Sequence, residues 1–256
     1  MNTQKLLSGW LYFAAVLFIV TGCTPHRPRT NPILDIKAVV LAHQARAFNQ
    51  HILSSKGTGW AKLETKTTVD KFRIAWAAAF PNKIRITFLM SGLPIETIIA
   101  TGEKITFFSH TGEHSKYSYD SNDPNMEKFI KVPVKMSEMV SILLGRFPVK
   151  NFDDAYFSPQ DPSSSTITLR RNFKGVSQSV QFDSNKKIDR LNAMDTAGKL
   201  LYEITIFKYK AYDSDDIPIK IEIKDMDNKK LTLDITSFQS NPVIKETVFQ
   251  LTEPGS

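Results

Sequence analysis

Along Ile217, Ile219, Ile221 and Ile223 every odd position is isoleucine, and Lys220, Glu222 and Lys224 stand at the even ones. Side chains alternate between two faces only in an extended chain, so this run is a strand with one apolar and one wet face. The pattern recurs. Ile84, Ile86 and Phe88 alternate with Lys83, Arg85 and Thr87, and Leu231, Leu233 and Ile235 repeat the spacing. Phe72, Ile74 and Trp76 fall two apart with Arg73 between the first pair. Continuous apolar runs, the mark of sheets buried on both faces, are missing, so the sheet is antiparallel with a wet outside. About ten or eleven strands are expected, joined by polar turns containing Gly, Asp and Asn. So many strands with one greasy face close, or nearly close, into a barrel, and a barrel of more than about eight strands does not fill its middle with its own side chains. The expected fold is therefore mainly β: an antiparallel, incompletely closed β-barrel with covering helices and an apolar cavity. A fully packed sandwich is the other architecture this patterning allows. The 17 Phe and 41% hydrophobic content supply a core of the necessary size.

The N-terminus is organised differently. Lys5 precedes an uncharged segment running from Leu6 to Gly22, the layout of a secretory signal. It ends in Val20-Thr21-Gly22-Cys23, which resembles the bacterial lipobox. That resemblance implies cleavage before Cys23 and acylation of it, so that residues 1–22 are a signal peptide and residues 23–31 a lipidated cysteine and basic, proline-stiffened tether. The remaining chain, 32–256, is read as a single domain. An uncleaved anchor is the alternative, although the segment is at the short limit for a span. Cys23 is the one cysteine, which excludes an internal disulfide. Two helices are expected among the strands. One opens at Asn31-Pro32 and runs to about Ser54, with Ile33, Leu34, Leu41, Ala45, Phe48 and Ile52 as its apolar stripe. The other carries Met136, Met139, Val140, Leu143 and Leu144 and stops at Gly145.

Chemistry-bearing motifs are sparse. His110-Thr111-Gly112-Glu113-His114 fits a zinc-binding H-x-x-E-H pattern. That chemistry needs a helix to bring both imidazoles together, whereas this segment joins two strand-like runs as a turn. Asp213-Ser214-Asp215-Asp216 lacks the glycine and terminal glutamate of a calcium loop. No phosphate-binding loop or nucleophile elbow occurs, so no enzyme, cofactor or metal is expected. A net charge of +7 and pI near 9.3 point to an acidic partner or to a lysine-rich outer face. Trp10, Trp60 and Trp76 form no stacking platform with flanking basic residues, so nucleic acid is not expected.

The stretch from Phe72 to Ala100 carries the candidate site. Trp60, Phe72, Ile74, Trp76, Ile84, Ile86 and Phe88 are taken as the wall of an acyl-chain cavity. The turn Met90-Ser91-Gly92-Leu93-Pro94 is apolar where a polar one is usual. Gly92 permits a positive φ and Pro94 holds Leu93 extended, so Leu93, with Met90, is a candidate membrane contact. Packing of Leu93 on a neighbouring helix is the competing reading.

Gly59-Trp60-Ala61, Phe72-x-Ile74-x-Trp76, Ile84 to Phe88 with the loop ending Gly92-Leu93-Pro94, and Ser137 to Val149 resemble the LolA/LolB family of lipoprotein carriers, most closely LolB, the outer-membrane lipoprotein receptor. So does the C-terminal ending, Asn241-Pro242-Val243-Ile244 followed by Val248-Phe249-Gln250-Leu251 and Pro254-Gly255. The resemblance implies an unclosed barrel whose cavity holds lipoprotein acyl chains, and a protruding loop whose leucine, here Leu93, touches the bilayer. It implies a monomer, lipid-anchored to the outer membrane and facing the periplasm, that takes lipoproteins from a soluble LolA-like carrier and inserts them. The chain departs from the family in its greater length after residue 160. A structural or assembly lipoprotein whose barrel binds a protein partner is the alternative from another class.

Overall fold

The alternating runs become ladders of one sheet in the computed structural model, which describes residues 32–113, 116–157, 165–171 and 175–251. The signal segment, Cys23, the tether and His114 lie outside the described residues, as do the side chains of Ile33 and Leu34. The strands are β1 (Ser54–Glu64), β2 (Val69–Ala79), β3 (Lys83–Met90), β4 (Leu93–Ala100), β5 (Lys104–Ser109), β6 (Tyr117–Asp120), β7 (Asp154–Phe157), β8 (Thr166–Arg171), β9 (Gly175–Phe182), β10 (Ile188–Met194), β11 (Leu200–Tyr212), β12 (Asp215–Asp225) and β13 (Lys230–Ser240). Thirteen strands exceed the ten or eleven expected. The sequence pattern passes over β7, whose four residues are too few to show an alternation.

The spatial order is β6-β5-β4-β3-β2-β1-β13-β12-β11-β10-β9-β8-β7. Every neighbouring pair is antiparallel and consecutive in the chain except one: β1 pairs with β13, from Ser55 opposite Ser240 to Glu64 opposite Lys230. The two ends of the domain thus meet in the middle of the sheet. Its free edges, β6 and β7, are consecutive in the chain, and the sheet stays unclosed between them.

The segment joining those edges holds α2 (Glu127–Ile130) and α3 (Met136–Leu143). It lies over the inner face, where its Met126, Ile130, Val134, Met136, Met139 and Leu143 join one continuous core with side chains from β1 to β13. Gly145 at φ +71° follows α3 as the glycine stop its sequence suggested. The first helix, α1 (Pro32–Ala47), packs along β7 and β8. It is shorter than expected: Asn49 takes a left-handed φ of +54°, the chain turns, and β1 begins at Ser54. Its buried side chains are small, Ala38, Ala42 and Ala45, whereas Ile36 and Val40 face solvent. On the outer face the C-terminal segment forms a second, smaller core of Phe249 with Ala77 and Ile99, tied down by Arg85, whose guanidinium donates to the Val248 carbonyl at 3.1 Å.

The centre of the sheet is built around Trp76. Its indole N–H donates to Ser55 Oγ at 3.1 Å, and Ser55 Oγ in turn donates to the Leu143 carbonyl at 2.7 Å. One buried chain of polar contacts therefore joins β2, β1 and the end of α3. The ring needs the space above Gly57, where a Cβ would stand 2.2 Å from its six-membered edge and 2.5 Å from the Ser237 carbonyl. Gly57→Ala is expected to lower stability by about 1–3 kcal/mol through overpacking, read from the urea midpoint. An unchanged midpoint would show that the ring does not sit over Gly57.

Candidate functional site

Inner-face side chains of four central strands converge on the helical segment. Ala61 and Leu63 of β1, Ile74 of β2, Ile86 and Phe88 of β3, and Leu231 and Leu233 of β13 surround one apolar space, closed by Ile130, Met139 and Leu143 from α2 and α3. The alternation within each strand supplies one such residue every second position, and antiparallel pairing brings them to the same level. The unfilled volume is about 20 Å³, little more than one water requires. The expected open cavity is thus already occupied by the protein's own helices. Two larger depressions, of about 350 Å³ beside Phe80 and Lys150 and about 250 Å³ beside Lys104 and Phe249, lie apart from this space and mix polar with apolar walls.

Of the expected wall residues, Ile74, Ile86 and Phe88 border the space. Trp76 and Ile84 are buried on the same face, 4% and 0% exposed, without reaching it. Phe72 is half-buried and meets the Phe88 ring edge-on at 5.8 Å. Trp60 does not belong to the wall. It is 41% exposed on the outer face, opposite Arg73 of β2 and Asp234 of β13. Strand parity is the reason, because Trp60 alternates with Ala61 and Leu63, which point inward, and shares its face with Lys62 and Glu64. That signal was available in the sequence. Leu231 and Leu233 were recognisable as one apolar face, but only the β1–β13 pairing, across most of the domain's length, brings them to Ala61 and Leu63.

Met90 and Leu93 flank the two-residue turn Ser91-Gly92, both of whose φ angles are positive (+51° and +83°). This is the backbone a tight hairpin prefers, and it leaves Met90 57% and Leu93 70% exposed.

The helical cover is held unequally at its two ends. Arg146, buried just after α3, donates from Nε to the Asn49 carbonyl at 3.1 Å and from Nη2 to the carbonyls of Gln50 and Ile52, both at 2.6 Å. Its guanidinium also lies 4.9 Å from the centre of the Phe80 ring. Burial lowers its pKa from the ordinary arginine value, but arginine remains charged at neutral pH. Gln178 of β9, fully buried, accepts from the Lys150 backbone N–H at 2.7 Å and donates to the Pro148 carbonyl at 2.8 Å. These contacts, with Ser55, fasten the exit of α3 to three parts of the scaffold.

At the α2 end the ties are apolar or near the surface. Phe129 stacks on Phe107, and Lys229 forms a part-exposed ion pair with Glu127 at 3.0 Å. Residues 123 to 138 also bond to one another, and the buried Glu138 carboxylate, beside Tyr202 of β11, pairs with Lys150 at 3.3 Å. Asp123 accepts from the Ser137 backbone N–H at 2.9 Å, Met126 N–H donates to the Val134 carbonyl at 2.8 Å, and Glu138 accepts from the Lys135 N–H at 2.9 Å.

His110 lies in the turn after β5, where Nε2 is 2.9 Å from Thr97 Oγ1, and burial followed by the charge of Arg85 lowers its pKa. Among the described residues, no group of three or more His, Cys, Asp or Glu could hold a metal ion.

No family model matches the chain, and no curated protein matches it. Solved structures do. The fold is similar to the crystal structure of a LolA superfamily protein from Nitrosomonas europaea, with a TM-score of 0.55 and 11% identity over 84% of this chain and 97% of that one. It is also similar to a DUF1329 family protein from Desulfovibrio piger, with a TM-score of 0.58 and 8% identity over 85% of this chain and 97% of that one. These likenesses establish a shared unclosed-sheet fold.

Replacing Arg146 by Met strands the carbonyls of Gln50 and Ile52, while the Asn49 carbonyl keeps the Ile52 N–H at 3.0 Å. Since an unsatisfied buried group costs about 1–3 kcal/mol, Arg146→Met is expected to lose about 2 kcal/mol or more in urea denaturation. Arg146→Lys should recover only part of that, because one ammonium cannot reach all three acceptors in the guanidinium's geometry.

Proposed function

We propose that this protein is a lipid-anchored carrier of acyl chains, held to the outer membrane through Cys23, that takes lipoproteins from a soluble LolA-like protein and releases them into the bilayer. The observation that carries this reading is the space beneath α2 and α3, whose ten bordering side chains are all apolar. A fold shared with a LolA superfamily structure supports it, as does the lipobox sequence. At about 20 Å³ the space admits no acyl chain, so cargo enters only by displacing the helical cover.

The energetics permit that exchange. Met126, Ile130, Val134, Met136, Met139 and Leu143 each gain about 2 kcal/mol from burial, and each acyl methylene about 0.8 kcal/mol, so roughly fifteen methylenes, about one long acyl chain, offset the loss of all six. No nucleotide is needed, and transfer follows relative affinity. The unequal fastening of the cover makes the α2 end the part that lifts and the stretch after α3 the hinge. Leu93 and Met90, exposed at the β3–β4 turn, are the proposed bilayer contact. A leucine buried in lipid contributes about 2 kcal/mol, enough to bias docking, while the acylated Cys23 supplies the anchor.

The small free volume favours one second reading, an assembly lipoprotein that keeps its cover shut and uses an open sheet edge for a protein partner. Joining Glu127→Cys to Lys229→Cys with a short, cleavable thiol cross-linker, in a form lacking Cys23, separates the two. The carrier reading expects the linked protein to lose uptake of a fluorescent acyl chain and to regain it on cleavage. Undiminished uptake by the linked form would contradict a lifting cover, and no uptake by either form, together with no lipid in mass spectra of the purified protein, would favour the assembly role. Separately, Leu93→Glu is expected to abolish delivery to vesicles while leaving acyl-chain binding intact. Unimpaired delivery would remove the β3–β4 turn from the mechanism.

A further inference from the structure

Met90 and Leu93 stand opposite one another across the β3–β4 ladder, so their side chains share a face. Parity within β3 says which. Ile84, Ile86, Phe88 and Met90 fall two apart, and the first three are buried on the inner face. The turn therefore presents its apolar pair on the side of the sheet that holds the space beneath α2 and α3. Ile86 and Phe88 border that space, and Met90 is exposed one alternation further on. From Ile86 to Met90 is four residues of strand, about 13 Å.

No polar side chain interrupts this stripe, whereas the other strands bordering the space do not carry theirs so far. The inner face of β2 passes from Ile74 and Phe72 to the exposed Asp70, β1 runs from Leu63 into Thr65 of its turn, and β13 is preceded by Lys229. Of the four, β3 alone stays apolar to its last residue, and Leu93 extends it past the turn. Two rings narrow the path. Ile74 pairs with Phe88, so Phe72, the next inner residue of β2, lies one step nearer the turn, level with Met90. Phe72 is half-buried and meets the Phe88 ring edge-on at 5.8 Å. The pair stands between the exposed ledge of Met90 and Leu93 and the enclosed Ile74 and Ile86. Ile130 of α2, in the less firmly held end of the cover, borders the same space.

We infer that the β3–β4 hairpin is the portal through which an acyl chain passes between bilayer and interior, and that Phe72 with Phe88 is its gate. The acyl chain slides along the β3 stripe, from Leu93 and Met90 past the two rings to Ile86. Its methylenes then meet apolar side chains along the way instead of water. Docking by Leu93 sets the mouth of this path in the membrane itself. The inference rests on the carrier reading of the apolar space and adds to it a route and the residues that set the rate.

A gate acts on the barrier and leaves the bound state nearly alone, so binding kinetics test it. When a pyrene-labelled fatty acid is mixed with the full chain in stopped flow, Phe72→Ala is expected to raise the association and dissociation rates together, several-fold, with Kd little changed. Phe72→Trp should slow both. Met90→Asp, which puts a charge on the path, should also slow both several-fold. Val69→Asp, an equally polar change at an exposed position on the outer face of the same end of the sheet, should alter neither. Unchanged rates in the Phe72 variants or in Met90→Asp, or equal slowing by Val69→Asp, would overturn the portal and leave the carrier reading in place. A change confined to dissociation would make Phe72 part of the wall around a bound chain and reject it as a gate. No uptake by the unaltered protein would overturn the carrier reading and the portal with it.

Discussion

The pairing of β1 with β13 governs the rest of the structure. Because the domain's first and last strands meet in the middle of the sheet, its free edges fall at mid-chain, on β6 and β7. Whatever joins those strands must cross the opening between them. That connection carries Met136, Met139 and Leu143 on the face of a short helix, and they pack into one core with the inner face of the sheet. Covering the opening and filling the interior are therefore accomplished by one segment. The same segment would be the one to move if the interior is to receive anything else.

How firmly that cover is held depends on where its hydrogen bonds go. A backbone carbonyl buried without a donor is costly, and the stretch around Asn49 to Ile52, where α1 turns into β1, leaves those of Gln50 and Ile52 to a side chain. Arg146 satisfies both and gives the Asn49 carbonyl a second donor. The exit of α3 is thus tied by polar contacts that lose much of their value if lengthened slightly, whereas α2 is tied by stacking and a part-exposed ion pair that salt and water weaken. A cover fastened in this way opens at one end more readily than it detaches.

Much of the fold was legible from local pattern. The isoleucines of β12, the Phe88 run of β3 and the glycine stop after α3 each declare themselves within a few residues, because alternation and capping are short-range effects. Trp60 shows a different kind of failure. Its size suggested the interior, but its parity with Lys62 and Glu64 places it outside, and the inner positions nearby are glycine and alanine so that Trp76 has room. Size misled where parity did not. β7 and Arg146 gave no local sign, since four residues do not make a pattern and a lone arginine does not announce three distant carbonyls.

The sequence alone determined which side chains share a face along each strand, that the sheet is antiparallel and wet on one side, and that a tight apolar turn presents Leu93. These follow from backbone geometry within a strand or turn and need no knowledge of neighbours. Only the tertiary structure decided which strands lie side by side, that the opening is bridged by α2 and α3, and that the space beneath them is nearly full. Those outcomes depend on contacts between residues far apart in the chain. No spacing in the sequence records how much of an apolar wall its own helices will cover.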